Sequence, residues 1–392
     1  MPSSFTIPSQ FKVSAIVTTL GVDNDAGQLE VTAQFIKPQS TQGFGQKFQH
    51  LSGKGEDINT CFEQIEMQIG RTLVLAHCST IVVNDEVCQQ HNMLKLLDGV
   101  IRNNELGTNS LIIHTQDKAK DVLSATAKEE LISQDLLVDI ASFDTRQLYS
   151  DRIDMFSFFN NSMSPCGTAV IPSISLTSED GQSDSSQGQG GGSSDAMESG
   201  GSAKDSQGSG SKKISNKGEV CVFVDGDYVG VLDFEQMKGF NWLDSSTRQN
   251  IFTIEGYSKG KIQDATIQLK NLGQKVNFVP KIKNNQPIML IEIETDAKII
   301  MLVDTNQKVV SNDIDQNDMV LQDLFQQLVT SEVNECMRVS RENDFDKLDF
   351  YHKFEMANYR DWQKYLNSKD DPESYMQDIV IEVRARLIEK SE

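Results

Sequence analysis

Residues 178–213 run SEDGQSDSSQGQGGGSSDAMESGGSAKDSQGSGSKK, in which 20 of 36 residues are Gly or Ser and Met197 is the single large apolar side chain. A stretch of this kind cannot bury enough apolar surface to offset the entropy of ordering it, so it takes no part in a core. It splits the 392 residues into two folding parts, and the length alone predicts two or three domains at roughly 150 residues each. The composition predicts a flexible, mildly acidic linker with an r.m.s. span of roughly 30–35 Å, from about 5–6 Å × √n. We place an α/β region at 11–177, the linker at 178–217 and an α+β domain at 218–390. The expected class is mixed α+β, multi-domain.

Charge and cysteine usage narrow the function classes. With 36 basic and 57 acidic residues the net charge is −21, which argues against nucleic-acid binding, because phosphate contacts need a clustered Lys/Arg surplus. No run of about 18 apolar residues spans a membrane. The opening MPSSFTIPSQ has no basic n-region, apolar h-region or small-residue cleavage site, so no signal peptide or lipobox is expected from it. Six cysteines (Cys61, Cys78, Cys88, Cys166, Cys221, Cys336) show no CxxC and no tight spacing. They are expected to be buried free thiols rather than a disulfide framework.

Before the linker, strand and helix signals alternate. Runs at 11–20 and 28–36 are β-branched and flank the turn cluster Asp23-Asn24-Asp25-Ala26-Gly27. Ile58, Phe62, Ile65 and Ile69 have a helix period. A strand at 79–83 leads through Asn84, a helix cap, into one helix with Val87, Leu94, Leu97, Val100 and Ile101 inward. A strand at 110–114, short helices at 117–125 and 148–159, and a strand at 168–176 complete this half. Beyond the linker, strands at 219–223 and 228–232 flank Asp225-Gly226-Asp227, a strong hairpin signal. A short helix at 234–243 precedes three strand-like runs, 262–270, 275–283 and 288–303, with Gly273 and Asn284-Asn285 as turns. A long amphipathic helix at 319–339 turns Val320, Leu324, Phe325, Leu328 and Cys336 inward. A helix near 359–366 and a closing strand with one wet face end the chain.

Signatures of chemistry are missing class by class. No phosphate-cradling loop or nucleophile elbow occurs, and Gly208-Ser209-Gly210 lies in the low-complexity stretch. Asp313-x-Asp315-x-Asn317 begins like a calcium loop, but Asp318 stands where Gly is needed and Leu324 where a bidentate Glu is needed. His77-Cys78 are sequential, so on a strand they face opposite ways and make a poor dyad. We therefore expect no catalytic residue, no cofactor-binding residue and no metal ligand.

Four segments in order resemble the spore germination lipoproteins that form the C subunit of nutrient germinant receptors, the Ger(x)C type. The first is KVSAIVTTLGVDNDAGQLEVTAQF, with Gly21, Val22 and Asp23 at the family's turn between two strands. The second joins GRTLVLAHCSTIVVNDEV to LLDGVIRNNELGTNSLIIHTQDKAKDVL, with Asp98, Arg102, Glu105, Ala119 and Leu123 at matching places. The third is GEVCVFVDGDYVGVLDFEQMKGFNWL, in which Gly226 and Gly230 are expected to serve backbone geometry. The fourth is DFYHKFEMANYRDWQKYL, with Trp362 as a packing anchor. The resemblance implies a non-enzymatic, lipid-anchored protein on the outer face of the spore inner membrane, working with integral-membrane receptor subunits in assembly or signalling. An anchor Cys is not seen before Cys61, and the Gly/Ser insertion is unusual for the family. The alternative is a soluble binding protein for a small nutrient held between the two domains.

Overall fold

The computed structural model describes residues 14–36, 48–103, 106–126, 153–178, 212–245, 250–260, 262–303 and 317–388, with Leu137 and Ile140. The first sheet is built from β1 (Ser14–Asp25), β2 (Gln28–Ile36), β3 (Phe48–Gly55), β4 (Thr72–Val74), β5 (Thr80–Asn84), β6 (Leu111–Thr115), β7 (Thr168–Ser178), β8 (Lys212–Val224) and β9 (Asp227–Leu232). Its order is β3-β2-β1-β5-β6-β7-β8-β9, with β4 beside the start of β1. The central β1, β5, β6 and β7 are parallel, and antiparallel pairs complete both sides. Every residue of β5 (TIVVN) and β6 (LIIHT) is buried, as befits strands covered on both faces. One face packs under α1 (Ile58–Ile69), α2 (Asp85–Gln90), α3 (Met93–Asn103) and α5 (Met155–Ser162). The other packs under α4 (Ala119–Thr126).

The second part contains α6 (Phe234–Asn241), β10 (Ile251–Lys259), β11 (Ile262–Lys283), β12 (Gln286–Val303), α7 (Met319–Glu342), α8 (Phe350–Leu366) and β13 (Val380–Ile388). Its sheet order is β10-β11-β12-β13, with β13 parallel to β12. Leu321, Phe325, Val329, Val333 and Cys336 form the buried stripe of α7, at spacings of four and finally three residues. Val320, expected inward, lies off that stripe and is 38% exposed.

Local chemistry explains where elements depart from the sequence pattern. Gly21, Val22 and Asp23 are inside β1; the turn narrows to Ala26 and Gly27, both at positive φ. The helix expected after Asn84 breaks into α2 and α3 because Asn92 caps a new helix, its Oδ1 accepting from the Lys95 N–H at 3.2 Å. β11 is one strand where two runs with a turn at Gly273 were expected. The Asn271 side chain accepts the Gly273 N–H at 2.8 Å, which turns the interruption into a bulge. The turn itself falls at Asn284-Asn285, both at positive φ. β3 carries little strand signal because it runs close under α1: a Cβ on Gly53 would stand 2.2 Å from the Cys61 carbonyl oxygen. The calcium-like Asp313-x-Asp315 pattern and the start of the helix expected at 148–159 lie outside the described residues.

The two parts interlock. β8 and β9, which follow the Gly/Ser-rich stretch, pair onto β7 and finish the first sheet, and residues 212–217 are strand rather than linker. Ser178 and Lys212, at the two ends of that stretch, are cross-strand partners. Val170, Val220 and Val222 belong to the core of the second part, and the Asp346 N–H donates to Thr168 Oγ1 at 2.9 Å.

Candidate functional site

Three polar sites stand out, and each lies in the first part of the molecule. The first is a joint between β1 and α4. Asp23, 1% exposed, accepts from the Ala119 N–H at 2.7 Å and the Lys120 N–H at 2.9 Å. It thereby satisfies two donors at the start of α4 that no helical carbonyl can reach. Burial pushes the Asp23 carboxyl up, and those two N–H groups oppose the push. Lys120 Nζ reaches back to Glu30 at 2.8 Å. Close contact is possible because position 21 is Gly: a Cβ there would meet Ala119 Cβ at 3.2 Å and Leu123 Cδ1 at 3.4 Å.

The second site is a relay that joins β6 and β7 to the start of α2. His114 Nδ1 lies 2.9 Å from Ser173 Oγ, and Nε2 lies 3.0 Å from Asp85 Oδ1. Gln89 Nε2 donates to Asp85 Oδ2 at 2.5 Å, and the Tyr228 hydroxyl also bonds this carboxylate. The His114 hydrogen bond holds the Asp85 carboxyl below the usual range against the opposing effect of burial. In the neutral imidazole, Nε2–H then donates to the carboxylate and Nδ1 accepts from Ser173. Ser, His and Asp are the residue types of nucleophilic catalysis, but a nucleophile needs a reacting atom within about 3 Å. Ser173 is 1% exposed, His114 0%, and the two are cross-strand partners inside the sheet. The relay fastens β6 and β7 to α2, and Tyr228 ties β9 to the same carboxylate. Sequence reasoning passed over it because its members lie far apart in the chain and follow no spacing rule.

The third site is a cleft of about 360 Å³ between the start of α1 and the α2–α3 break, lined by Glu56, Asp57, Asn59, His91 and Lys95 among others. The Asp57 carboxylate is already committed to capping α1, accepting from the Thr60 N–H at 2.9 Å. Beside the cleft, the β8–β9 hairpin docks on α3: the Met93 N–H donates to the Gly226 carbonyl at 2.7 Å, and Asn92 Nδ2 donates to the Asp225 carbonyl at 2.9 Å. Gly226 has φ +81°, and a Cβ there would stand 2.7 Å from Leu94 Cγ. Among the described residues no three His, Cys, Asp or Glu side chains converge to hold a metal ion. The cysteines are free and, except for the half-buried Cys166, buried; burial pushes the Cys61 thiol up to about 11 and that of Cys78 to about 12.

Comparison with known proteins places this architecture. Residues 12–176 match the spore germination protein N-terminal domain, and residues 218–387 match the spore germination B3/GerAC-like C-terminal domain. Spore germination protein KC of Bacillus subtilis (strain 168) is 19% identical over 389 residues, which is 95% of this chain and 88% of that protein. The crystal structure of the GerBC protein superimposes with a TM-score of 0.52 at 15% identity, covering 94% of this chain and 96% of that one. The chain belongs to the germinant receptor C-subunit family. This family is one of germination receptor components, not a known enzyme family.

Two segments of the C-subunit resemblance meet at one place, since Gly21 and Asp23 pack on Ala119 and Leu123. Other matched residues do not join them. Asp98 and Arg102 form an exposed ion pair one turn apart on α3, at 2.7 Å, and Glu105 lies outside the described residues. Trp362 is fully buried among Tyr351, Phe354, Tyr365 and Tyr375, with ring centroids 4.9–5.7 Å away. Gly230, expected to serve backbone geometry, has ordinary φ and open space where a Cβ would stand. No described helix of this C-subunit family member is long and apolar enough to cross a membrane.

Proposed function

We propose that this chain is a non-enzymatic subunit of a spore nutrient germinant receptor, required for the receptor's assembly or signalling. The observation that carries the proposal is the ordered match of both regions to the C-subunit family. The integral-membrane subunits of the receptor are its partners, nucleic acid is not, and its place is the outer face of the spore inner membrane, where members of the family are held by a lipid anchor. The built-in roles of the reactive groups support the non-enzymatic reading: Asp23 caps a helix, Ser173 and His114 of the relay are buried within the sheet, and burial pushes the thiols of Cys61, Cys78 and Cys336 up. The cleft at α1 is lined by residues between 29 and 99 only. It belongs to the first region and is not the interdomain site that a nutrient-binding protein of two halves calls for.

Deletion of the gene tests the proposal. Spores lacking this chain are expected to lose or slow their response to one set of nutrients while germinating normally with others. Unchanged germination with every nutrient tried sinks it.

A further inference from the structure

The inner face of the second sheet carries the core beneath α7 and α8. On the outer face Lys270 of β11 and Lys298 of β12 stand directly opposite one another. Like charges at opposed positions repel across a sheet. The ion pairs that involve this sheet, Lys259–Asp318, Arg384–Glu292 and Arg386–Glu294, leave both lysines out, and among the described residues neither makes a salt bridge. Aliphatic side chains flank them, beside Gln268 and Asp296 of the same face. Ile251, directly opposite Lys270 on β10, is 59% exposed; Leu272 at the bulge is 48% exposed, Ile300 39% and Met301 37%. Four of the chain's large exposed apolar groups thus gather beside two ammonium groups outside those ion pairs, on a molecule with net charge −21.

From this juxtaposition we propose that the Lys270–Lys298 patch docks on anionic lipid headgroups, with Ile251, Leu272, Ile300 and Met301 entering the bilayer interface. Basic groups set among apolar chains are what an interfacial lipid contact requires, because the headgroup meets the charge and the acyl boundary takes the aliphatics. A soluble anion would neutralise the lysines and leave the aliphatics in water. Asp296 shares the outward face with Lys298 two residues away and offsets part of the positive charge, while acidic groups more than about 8 Å away are screened at physiological ionic strength. The proposal deepens the receptor-subunit reading by giving that subunit a membrane-facing side.

Sedimentation of the full chain with vesicles tests it without any receptor subunit present. Binding is expected to vesicles of phosphatidylcholine containing about a third phosphatidylglycerol, to be absent with phosphatidylcholine alone, and to weaken in high salt. The Lys270→Glu/Lys298→Glu protein should partition about thirtyfold less or weaker still, and Met301→Asp should also lower binding. Arg360→Glu/Lys364→Glu, the same charge change on exposed positions of α8, should bind like the parent. Circular dichroism melts confirm that each variant is folded. Equal binding to both vesicle types, no binding, or patch variants that bind like the parent overturn the proposal. If a chain that restores germination fails to bind phosphatidylglycerol, the patch is wrong and the receptor reading stands. If patch variants instead abolish co-purification of the membrane subunits without any lipid binding, the patch meets protein and the lipid proposal is overturned.

Discussion

Asp23 shows how one carboxylate can join parts of the chain almost a hundred residues apart. Replacing it with Ala leaves the Ala119 and Lys120 N–H groups buried and unanswered, and should destabilise the protein by about 1–3 kcal/mol in urea unfolding. A loss of only a few tenths of a kcal/mol would mean that the joint is held by packing at Gly21 alone. Asp346 provides a pH handle. It is buried, accepts from the Tyr375 hydroxyl at 2.8 Å and the Tyr351 N–H at 3.0 Å, and leaves its other oxygen without a protein partner. Burial raises its pKa, and the nearby N–H and hydroxyl groups oppose the shift. For an acid whose folded pKa is raised, the favourable contribution is present below the unfolded value of about 3.9 and is lost as pH rises through the folded one. Asp346 therefore takes stability away as pH rises from about 4, while carboxylates held low, such as Asp85 and Asp378, add it, so the stability of the parent relative to Asp346→Asn should fall over that range; parallel curves for the two proteins contradict the assignment. The sequence marked Gly21, Asp23, Ala119 and Leu123 only by resemblance. Their contact was invisible because nothing local says which strand will lie under which helix start.

Pairs of glutamines one helical turn apart close two strand edges. On α7, Gln322 accepts from the Leu387 N–H at 3.0 Å and donates to the Leu387 carbonyl at 2.9 Å, while Gln326 accepts from the Ala385 N–H at 2.6 Å and donates to the Val383 carbonyl at 3.0 Å. These side chains imitate a neighbouring strand along β13. On α1, Gln64 takes the Lys54 N–H and Gln68 gives to the Ser52 carbonyl in the same manner along β3. An open edge is a template for pairing with another chain. The Gln322→Leu/Gln326→Leu protein should lose about 2–4 kcal/mol in urea unfolding and self-associate in sedimentation velocity; an unchanged, monodisperse protein would show the edge to be covered otherwise. The long periodic elements, such as α1, α7, β5 and β6, were legible because a buried stripe or a continuous apolar run announces them. β3 and β10 were not: β3 is an edge strand whose Gly53 and Gly55 lie against α1, and on β10 the alternation of Phe252 and Ile254 is broken by a bulge before Tyr257. Gly273 misled for a related reason: a glycine marks either a turn or a bulge, and the Asn271 side chain decides between them.

At the scale of the molecule, the Gly/Ser-rich stretch sets the division seen from sequence, but its ends lie on neighbouring antiparallel strands of one sheet. Replacing residues 179–211 with a four-residue turn should leave the fold intact and raise stability by about 1–2 kcal/mol, from the logarithmic cost of closing a longer loop. Destabilisation on shortening would mean that the segment contributes contacts of its own. The mixed α+β class and the two regions were readable from composition and periodicity. The interlocking of the regions was not, because β8 and β9 carry a hairpin signal that is silent about which sheet receives the hairpin. Receptor membership is the central claim, and affinity purification from detergent-solubilised spore membranes, using the tagged full chain, tests it most directly. The account predicts that the integral-membrane receptor subunits elute with the chain; elution of the chain without them, while those subunits are recovered with another protein, would contradict it.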